Sequence, residues 1–286
     1  MKITEIIKGN KPSLSFEVFP PKTSDAFDSV NLATEEIAKL KPSYMSVTYG
    51  AGGGTSDYTA QIAQNLSNLG VTSLAHLSCI SSTKDLVHSQ LKKLKSMGIE
   101  NILALRGDIP NGMSMEHLDY HYASELTEEI REFGGFCIGG ACYPEGHPDS
   151  KNSTEDIESL RIKVECGCEF LTTQMFFDNN ILYNFMYRLL RAGIDVPVVA
   201  GVMPVTNAKQ IKRILSISCN ALPQRFIRIV DRYGDDPEAM KQAGIAYATD
   251  QIIDLYANGI NAVHIYSMNK PDVAEQIQKN VSEIIK

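Results

Sequence analysis

Long apolar stretches are absent from this sequence. No part of the chain approaches the roughly 18 uninterrupted apolar residues that a membrane-spanning helix needs. The first five residues, Met1 to Glu5, also lack the apolar segment of a secretory signal peptide. These absences argue against a membrane-spanning helix and a signal peptide, and lead us to expect a cytoplasmic protein.

Clusters of positive charge are absent as well. The chain holds 27 Lys and Arg against 34 Asp and Glu, a formal net charge of −7 at pH 7. Affinity for nucleic acids depends largely on grouped Lys and Arg side chains that neutralise phosphates. We therefore expect no nucleic-acid partner.

Cysteine is sparse and follows no metal-binding pattern. The only close pair, Cys166 and Cys168, has no nearby His and supplies only half of a typical zinc shell. The spacing of a disulfide scaffold or of paired CxxC motifs is also missing. We expect buried free thiols and no metal. The six cysteines are Cys79, Cys137, Cys142, Cys166, Cys168 and Cys219.

Short apolar or β-branched runs recur along the chain, separated by longer amphipathic segments. This alternation is typical of βα units in a parallel sheet. Strands are predicted at 14–18, 44–48, 71–75, 101–105, 136–138, 170–173, 196–200 and 262–265. Helices are predicted at 28–40, 83–97, 123–133, 157–165, 181–191 and 244–258.

Eight such alternations predict an α/β fold, a (β/α)8 TIM barrel that forms a single domain over residues 1–286. A doubly wound open sheet is the alternative, because sequence does not reveal closure, but its usual GxGxxG turn after the first strand is missing. Glycines that follow helices should end them in a left-handed conformation. They are Gly70, Gly98, Gly134, Gly193 and Gly259.

Glu17 lies in the first predicted strand. Because side chains alternate across a strand, Glu17 shares a face with Ser15, opposite to the apolar Phe16 and Val18. If the apolar face meets the helices, Glu17 points into the barrel, where burial raises the pKa of a carboxyl group. The sequence therefore predicts either a general acid or a structural Glu paired with an Arg.

The same alternation places polar groups near the carboxyl ends of other strands. Several polar groups on one interior face need partners, which a bound ligand would supply. Catalytic residues of such barrels lie at this end. The pairs are Ser46 with Thr48, Thr172 with Gln174, and His264 with Tyr266.

Titratable residues lie at the ends of the third and fourth strands and on one later helix. His76 ends strand three, and strand four runs into Arg106-Gly107-Asp108, which suits either a loop salt bridge or, as we favour, contacts to phosphate or conjugated carbonyl groups. Asp156 and Lys163 lie seven residues apart and share a helix face. That face is either solvated or placed to hold a phosphate at a helix N-terminus.

Eight short motifs, in this order, closely resemble those of methylenetetrahydrofolate reductases. They are SFEVFPPK (15–22), SVTYG (46–50), AHL (75–77), ALRGD (104–108), YPEGHP (143–148), QMFFD (174–178), GVMPV (201–205) and HIY (264–266). The resemblance covers almost the whole chain and is to bacterial members with a catalytic domain alone. It implies a (β/α)8 barrel with non-covalent FAD, and hydride transfer from NAD(P)H through flavin to 5,10-methylenetetrahydrofolate, as part of methionine biosynthesis.

The resemblance also implies roles for individual residues. Glu17 would be the general acid that opens the folate ring to an iminium, and Asp108 would lie near both flavin and pterin. Gln174 would contact the pterin, Lys270 would contact the folate, and Tyr266 would lie near the folate or nicotinamide site. The residues implied for FAD are Thr48, Tyr49, Ala51, His76, Arg106, Gly107, Asp108, Tyr122, Tyr143, His147, Ser150, Asp156 and Lys163.

Two positions depart from the family pattern. Ala208 stands where bacterial relatives carry a large side chain that packs on nicotinamide and folate, and Lys270 stands in place of an Arg. The electron donor, NADH, NADPH or a partner subunit, is therefore left open. A homo-oligomer is expected. The alternatives are another flavin barrel, such as a proline-dehydrogenase-like enzyme, or a non-catalytic subunit, against which the joint presence of Glu17, Asp108 and Gln174 counts.

Overall fold

The computed structural model describes residues 1–9, 11–21, 23–49, 56–109, 118–217 and 222–286. Eight parallel strands pair in sequence order, and the first also pairs with the last, so the sheet closes into a barrel. This confirms the predicted (β/α)8 fold and excludes the open sheet. The strands are β1 (Ser13–Val18), β2 (Met45–Val47), β3 (Ser73–Ser78), β4 (Asn101–Leu105), β5 (Cys137–Cys142), β6 (Phe170–Thr173), β7 (Val198–Val202) and β8 (Ala262–Ile265).

The first helix precedes the strands, and the others follow strands and surround the barrel. They are α1 (Ile3–Ile7), α2 (Phe27–Ala38), α3 (Ser56–Asn68), α4 (Lys84–Ser96), α5 (Ala123–Phe133), α6 (Ser153–Glu165), α7 (Asn179–Arg191), α8 (Ala208–Ile217), α9 (Gln224–Tyr233), α10 (Pro237–Ala257) and α11 (Pro271–Val281). No helix within the described ranges has both the length and the apolar character needed to cross a membrane.

Several helix ends match local sequence signals. The helix predicted at 123–133 is α5, and the five glycines expected after helices have φ values of 79°, 74°, 77°, 71° and 82°. Two predicted starts were wrong. The Asn152 side chain accepts hydrogen bonds from the next helix's backbone, so α6 begins at Ser153. Asp236 does the same for α10, which begins at Pro237 rather than at residue 244.

The apolar side chains form separate layers inside and outside the barrel. Outward-facing strand residues such as Phe16 and Val47 pack under the helices. At the amino end of the strands, α1 inserts Ile3 and Ile7 into the barrel interior. The backbone N–H of Ile3 donates to Asn101 Oδ1 at 2.9 Å and ties this helix to β4. The interior residues under α1 are Tyr44, Leu74, Leu103, Cys137, Phe170, Val199 and Ala262.

Four of the cysteines are buried thiols, as predicted, but Cys166 is only half-buried. This residue follows α6, where its side chain faces the surface near Arg131. Cys219 lies outside the described residues. Among the residues that are described, no group of three or more His, Cys, Asp or Glu side chains is placed to hold a metal ion.

Candidate active site

Glu17 points into the barrel at the carboxyl end of β1, as the strand alternation predicted. It pairs in register with Ser46 of β2, and the residue is 7% exposed. Burial raises the pKa of Glu17 to about 8, because a carboxylate loses its hydration there. Among the described residues, the charged-group contact of Glu17 is with His76 and not with an Arg, so the structure gives the Glu–Arg alternative no support. The carboxyl group is protonated at neutral pH.

His76 of β3 is a titratable neighbour of Glu17. Its Nε2 atom lies 3.8 Å from Glu17 Oε2. Burial lowers the pKa of His76 to about 3, so this imidazole is neutral and the pair is not an ion pair. Nε2 is buried and makes no hydrogen bond to any described residue. Such an atom needs a partner from a ligand or water.

His264 of β8 completes this interior group. Ser15 Oγ lies 2.7 Å from its Nδ1 and Ser46 Oγ lies 2.9 Å from its Nε2. The ring of Tyr44 stacks on it with centroids 5.6 Å apart, and Tyr266 meets it edge-on at the same distance. Burial lowers the pKa of His264 to about 3. The interior at this end is thus polar and uncharged at neutral pH.

A second polar cluster lies beside β5 and α6. Lys163 Nζ donates to the carbonyl of Ala141 at 2.7 Å, and its stem passes so close to Gly140 that a Cβ there would lie 2.7 Å from Lys163 Cδ. Burial lowers the pKa of Lys163. The partly buried ammonium group of Lys163 therefore points towards the end of β5 and not into solvent.

Asp156 joins the same cluster from the first turn of α6. Its Oδ1 accepts from the backbone N–H of His147 at 3.3 Å and from Ser150 Oγ at 3.4 Å. Its Oδ2 is buried without a hydrogen-bond partner among the described residues. Burial raises the pKa of Asp156 and lowers that of His147, whose ring meets Tyr143 edge-on at 4.6 Å. The solvated-face alternative is therefore wrong for Asp156 and Lys163.

Arg106 is held by an acid that the sequence analysis did not single out. Its Nη2 lies 2.6 Å from Asp149 Oδ2, so the salt bridge considered with Asp108 is not formed. Asp108 is exposed. The pKa of Tyr143 is raised mainly by burial, and the nearby negative charge of Asp108 raises it further. Gly107, at φ 87°, leaves no room for a side chain, because a Cβ would lie 2.1 Å from Ser78 Oγ.

The residues predicted to contact substrate lie at the same carboxyl end of the barrel. Gln174 is half-buried and its Oε1 accepts from the backbone of Met175 at 2.9 Å. Tyr266 donates to the carbonyl of Thr173 across the barrel. Lys270 Nζ contacts Thr206 Oγ1 at 2.8 Å and so joins the β8 and β7 loops.

The other residues predicted to bind FAD make no described contact with the two polar clusters. Thr48 and Tyr49 are half-buried after β2, where Thr48 N–H donates to Val18 at 3.0 Å. Tyr122 precedes α5 with 64% of its surface exposed, and no described contact brings it into either cluster. Ala51 lies outside the described residues.

Sequence reasoning missed Asp149 and Tyr44 as parts of these clusters. Asp149 stands two positions after His147, and its N–H donates to His147 Nδ1 at 3.1 Å, so the polar loop itself was the available signal. Tyr44 shares the alternation of Ser46 and Thr48 and could have been included by parity.

Comparison with known proteins identifies the family. A family model described as methylenetetrahydrofolate reductase matches residues 2–282. The chain belongs to this family. The resemblance of the eight motifs is thereby confirmed, and the proline-dehydrogenase-like alternative is excluded.

Other members of the methylenetetrahydrofolate reductase family match nearly all of this chain. The 5,10-methylenetetrahydrofolate reductase of Escherichia coli strain K12 is 34% identical over 266 residues, which cover 93% of this chain and 89% of that protein. Methylenetetrahydrofolate reductase (NADH) 1 of Arabidopsis thaliana is 32% identical over 298 residues, covering 99% of this chain and 50% of the plant protein.

Solved structures share the barrel at lower identity. A Clostridium thermocellum protein that binds two copies of 5-methyl-5,6,7,8-tetrahydrofolic acid has a TM-score of 0.69 and 13% identity, with 99% of both chains covered. Dihydropteroate synthase of Xanthomonas albilineans has a TM-score of 0.53 and 11% identity over 96% of this chain and 92% of that one. At these identities the likeness supports the fold alone.

Proposed function

We propose that this chain reduces 5,10-methylenetetrahydrofolate to 5-methyltetrahydrofolate, with hydride passing from NAD(P)H through non-covalent FAD in a ping-pong sequence. The observation that carries the proposal is Glu17, a buried and protonated carboxyl group at the catalytic end of the barrel. The family relationship identifies the reaction that such an acid would serve. The activity belongs to one-carbon metabolism and methionine biosynthesis.

Glu17 acts in this proposal as the general acid. Opening the five-membered ring of the folate to an iminium requires a proton on the departing nitrogen, and the iminium is the electrophile that accepts hydride. An acid with a pKa near the working pH holds its proton at neutral pH and can still release it. Neutral His76 beside it adds no positive charge that would lower this pKa.

The unpaired buried atoms fit a large polar cofactor such as FAD. His76 Nε2, Asp156 Oδ2 and Thr172 Oγ1 are buried with no hydrogen-bond partner among the described residues. Arg106 and Lys163 place two cations near this cluster, where they would neutralise a pyrophosphate. A dinucleotide that bridges β3 and α6 would satisfy these groups together.

FAD, when bound, supplies the hydride carrier between the nicotinamide donor and the folate. His76, Arg106 and Gly107 would line it from the β3 and β4 ends, and Thr48 and Tyr49 from β2. Tyr143, His147, Ser150, Asp156 and Lys163 would hold it from the β5 loop and α6. Ala51 and Tyr122 stay predictions from the family resemblance.

Asp108, Gln174, Tyr266 and Lys270 would bind the folate. The exposed Asp108 carboxylate would orient the pterin and influence the flavin, and the Gln174 amide would hydrogen-bond the pterin edge. Lys270 carries a charge but not the two-pronged geometry of Arg, so it would attract a folate carboxylate less specifically.

The proposed electron donor is NAD(P)H, because a relative is named for NADH. Ala208, which packs near Gly234 at the end of α9, offers only a methyl group for nicotinamide to stack on. A partner subunit that supplies electrons is the alternative. We also propose that residues 1–286 form one FAD-binding catalytic domain, acting in the cytoplasm as a homo-oligomer.

An anaerobic visible spectrum of the purified protein tests the proposal. We expect bound flavin that bleaches on addition of NADH and recovers its colour on addition of 5,10-methylenetetrahydrofolate. Flavin that ignores NADH but is reduced by 5-methyltetrahydrofolate would keep the folate reaction and assign the electrons to another donor. A protein that binds no FAD would overturn the proposal.

A further inference from the structure

The carboxyl end of β1 is held on one side by side chains and not by the neighbouring strand. The last register pair between β1 and β8 is Phe16 with Ile265. Glu17 lies one residue beyond that pair, and there the buried Ser267 hydroxyl donates to its backbone carbonyl at 2.8 Å. Buried backbone groups need hydrogen-bond partners, so a side chain replaces the strand at the point where the pairing stops.

Asn269 makes the next two contacts on the same side. Its Oδ1 accepts from the Phe19 N–H at 2.8 Å, and its Nδ2 donates to the Phe19 carbonyl at 2.9 Å. The carbonyl of Val18 faces β2 instead, where it accepts from the Thr48 N–H at 3.0 Å. The side of the chain that β8 no longer pairs is therefore the side that Asn269 covers together with Ser267. We call these two residues the β1 clamp.

The turn that carries the β1 clamp has a backbone that side chains rarely adopt. Lys270 N–H donates to the carbonyl of Ser267 at 3.1 Å, and the two residues between them, Met268 and Asn269, have φ values of 55° and 54°. Positive φ is unfavourable for residues with a side chain, although Asn adopts it more readily than Met. Such a backbone persists where the surrounding contacts hold it, and the bonds to β1 are contacts of this kind.

The same turn is anchored on its other side. Lys270 Nζ donates to Thr206 Oγ1 at 2.8 Å in the loop after β7. The backbone carbonyl of Lys270 accepts from Ala274 N–H at 3.1 Å in the first turn of α11. Residues 267–270 are thus tied to β1, to the β7 loop and to α11, which leaves the β1 clamp little freedom to move away from the strand end.

We propose that Asn269 and Ser267 are positioning residues for Glu17. They fix the backbone on both sides of Val18, so that the Glu17 carboxyl group stays inside the barrel beside His76 and does not follow a loosened strand end into solvent. A general acid must lie within hydrogen-bonding reach of the atom that it protonates, so a small displacement of β1 would cost rate. The catalytic value of the clamp rests on the proposed function, whereas its hold on Glu17 does not.

The ionisation of Glu17 reports whether the clamp holds. Burial is the largest cause of its raised pKa of about 8, so a carboxyl group that reaches water should titrate nearer to the ordinary value of 4.5. The neighbouring groups do not change charge between these values. His76 and His264 both have a pKa of about 3, and burial raises the pKa of Tyr44 and of Tyr266 far above neutrality.

Asn269→Gly tests the proposal in the purified protein. Glycine accepts the positive φ at this position, so the variant keeps the turn and loses both bonds to Phe19. We expect the pH at which half of Glu17 is ionised to fall by about one pH unit or more, because part of its hydration returns. Infrared spectroscopy measures this through the carboxylic acid band that Glu17→Gln removes. Met268→Gly is the matched control, since it places glycine at the adjacent positive-φ position and keeps the clamp, and its titration should be unchanged.

Ser267→Ala is a milder second variant, which removes only the bond to the Glu17 carbonyl and should shift the titration in the same direction. In Asn269→Gly the folate half-reaction should also slow about tenfold or more, with flavin reduction by NADH unchanged. The proposal fails if either clamp variant folds and titrates like the unaltered protein, if Met268→Gly shifts as far, or if both half-reactions slow alike. The titration uses neither folate nor nicotinamide, so the clamp can fail while the reductase activity of the unaltered protein stands, and the reverse.

Discussion

Glu17 Oε2 and His76 Nε2 lie 3.8 Å apart, and both groups are uncharged at neutral pH. Burial favours the neutral form of each, which raises the pKa of the acid and lowers that of the imidazole. The contact is therefore a proton donor beside a neutral ring, and not an ion pair. Most of the expected chemistry of this site follows from that.

Glu17→Gln should remove folate reduction and preserve flavin reduction. We expect the folate half-reaction to slow about 10²- to 10⁴-fold, because only the proton donor is lost. Anaerobic stopped-flow measurements of the two half-reactions check this separately. Glu169→Gln, a carboxyl group at the opposite end of the barrel that accepts from Ile138 N–H, is the matched control. Undiminished folate turnover in Glu17→Gln would falsify the acid role.

The folate half-reaction should decline as pH rises through about 8, the pKa of Glu17. The acid form is fully present well below this pH and falls about tenfold for each pH unit above it. Single-turnover rates across this range test the prediction. A rate that holds constant through pH 8, or that rises, would mean that Glu17 is not the acid.

The stability of the fold should also depend on Glu17. Its pKa of about 8 in the folded protein exceeds the ordinary value of 4.5, so between these pH values the unfolded chain releases a proton that the folded chain keeps. The contribution is fully present below the lower value. The free energy of unfolding should then fall by about 1.4 kcal/mol per pH unit up to about pH 8.

Urea denaturation of the unaltered protein and of Glu17→Gln isolates this contribution. The difference between the two should change with pH in favour of the Gln variant and level off above about pH 8. Parallel pH profiles for the two proteins would contradict the buried, protonated state of Glu17.

Gly140→Ala should weaken FAD binding through Lys163. The added methyl group would lie 2.7 Å from Lys163 Cδ and 3.0 Å from Cys168 Sγ, which displaces the ammonium group. We expect the dissociation constant to rise about tenfold or more, the usual effect of losing a charge-assisted hydrogen bond. Flavin fluorescence titration measures it. Lys163→Met should weaken binding similarly, and additive losses in the double variant would argue against a shared cause.

Gly139→Ala should destabilise the barrel interior. A methyl group there would lie 2.3 Å from the Phe170 ring, so overpacking should cost about 1–3 kcal/mol. Thermal unfolding detects this loss. In the double variant with Phe170→Leu, the smaller side chain should relieve part of the strain, so the combined loss should be less than the sum of the single losses. A sum that is fully additive would count against the contact.

The sequence predicted the features that depend on residues close together in the chain, such as the alternation along a strand. Glu17, Ser46 and His264 were placed inside the barrel because alternation along a strand has a period of two residues. The glycines at 70 and 98 were recognised because a helix end is a local event. The number of strand–helix alternations favoured a barrel, but its closure was shown only by the pairing of β1 with β8.

Features that depend on distant pairings were not predictable. Arg106 bonds Asp149 across 43 residues, and no local pattern distinguishes that partner from the adjacent Asp108. Gly139 makes room for Phe170 only because β5 and β6 are neighbours in register. The roles in FAD and folate binding came from the family resemblance.

The packing of α1 at the amino end of the strands bears on how the interior exchanges protons with bulk water. Because Ile3 and Ile7 fill that end, we expect a proton that Glu17 gives up to be replaced from the carboxyl end of the barrel, where ligands are proposed to enter. Any molecule seated in the mouth therefore also controls how fast the interior exchanges its hydrogens. Deuterium uptake by the deepest groups would slow whenever that mouth is occupied.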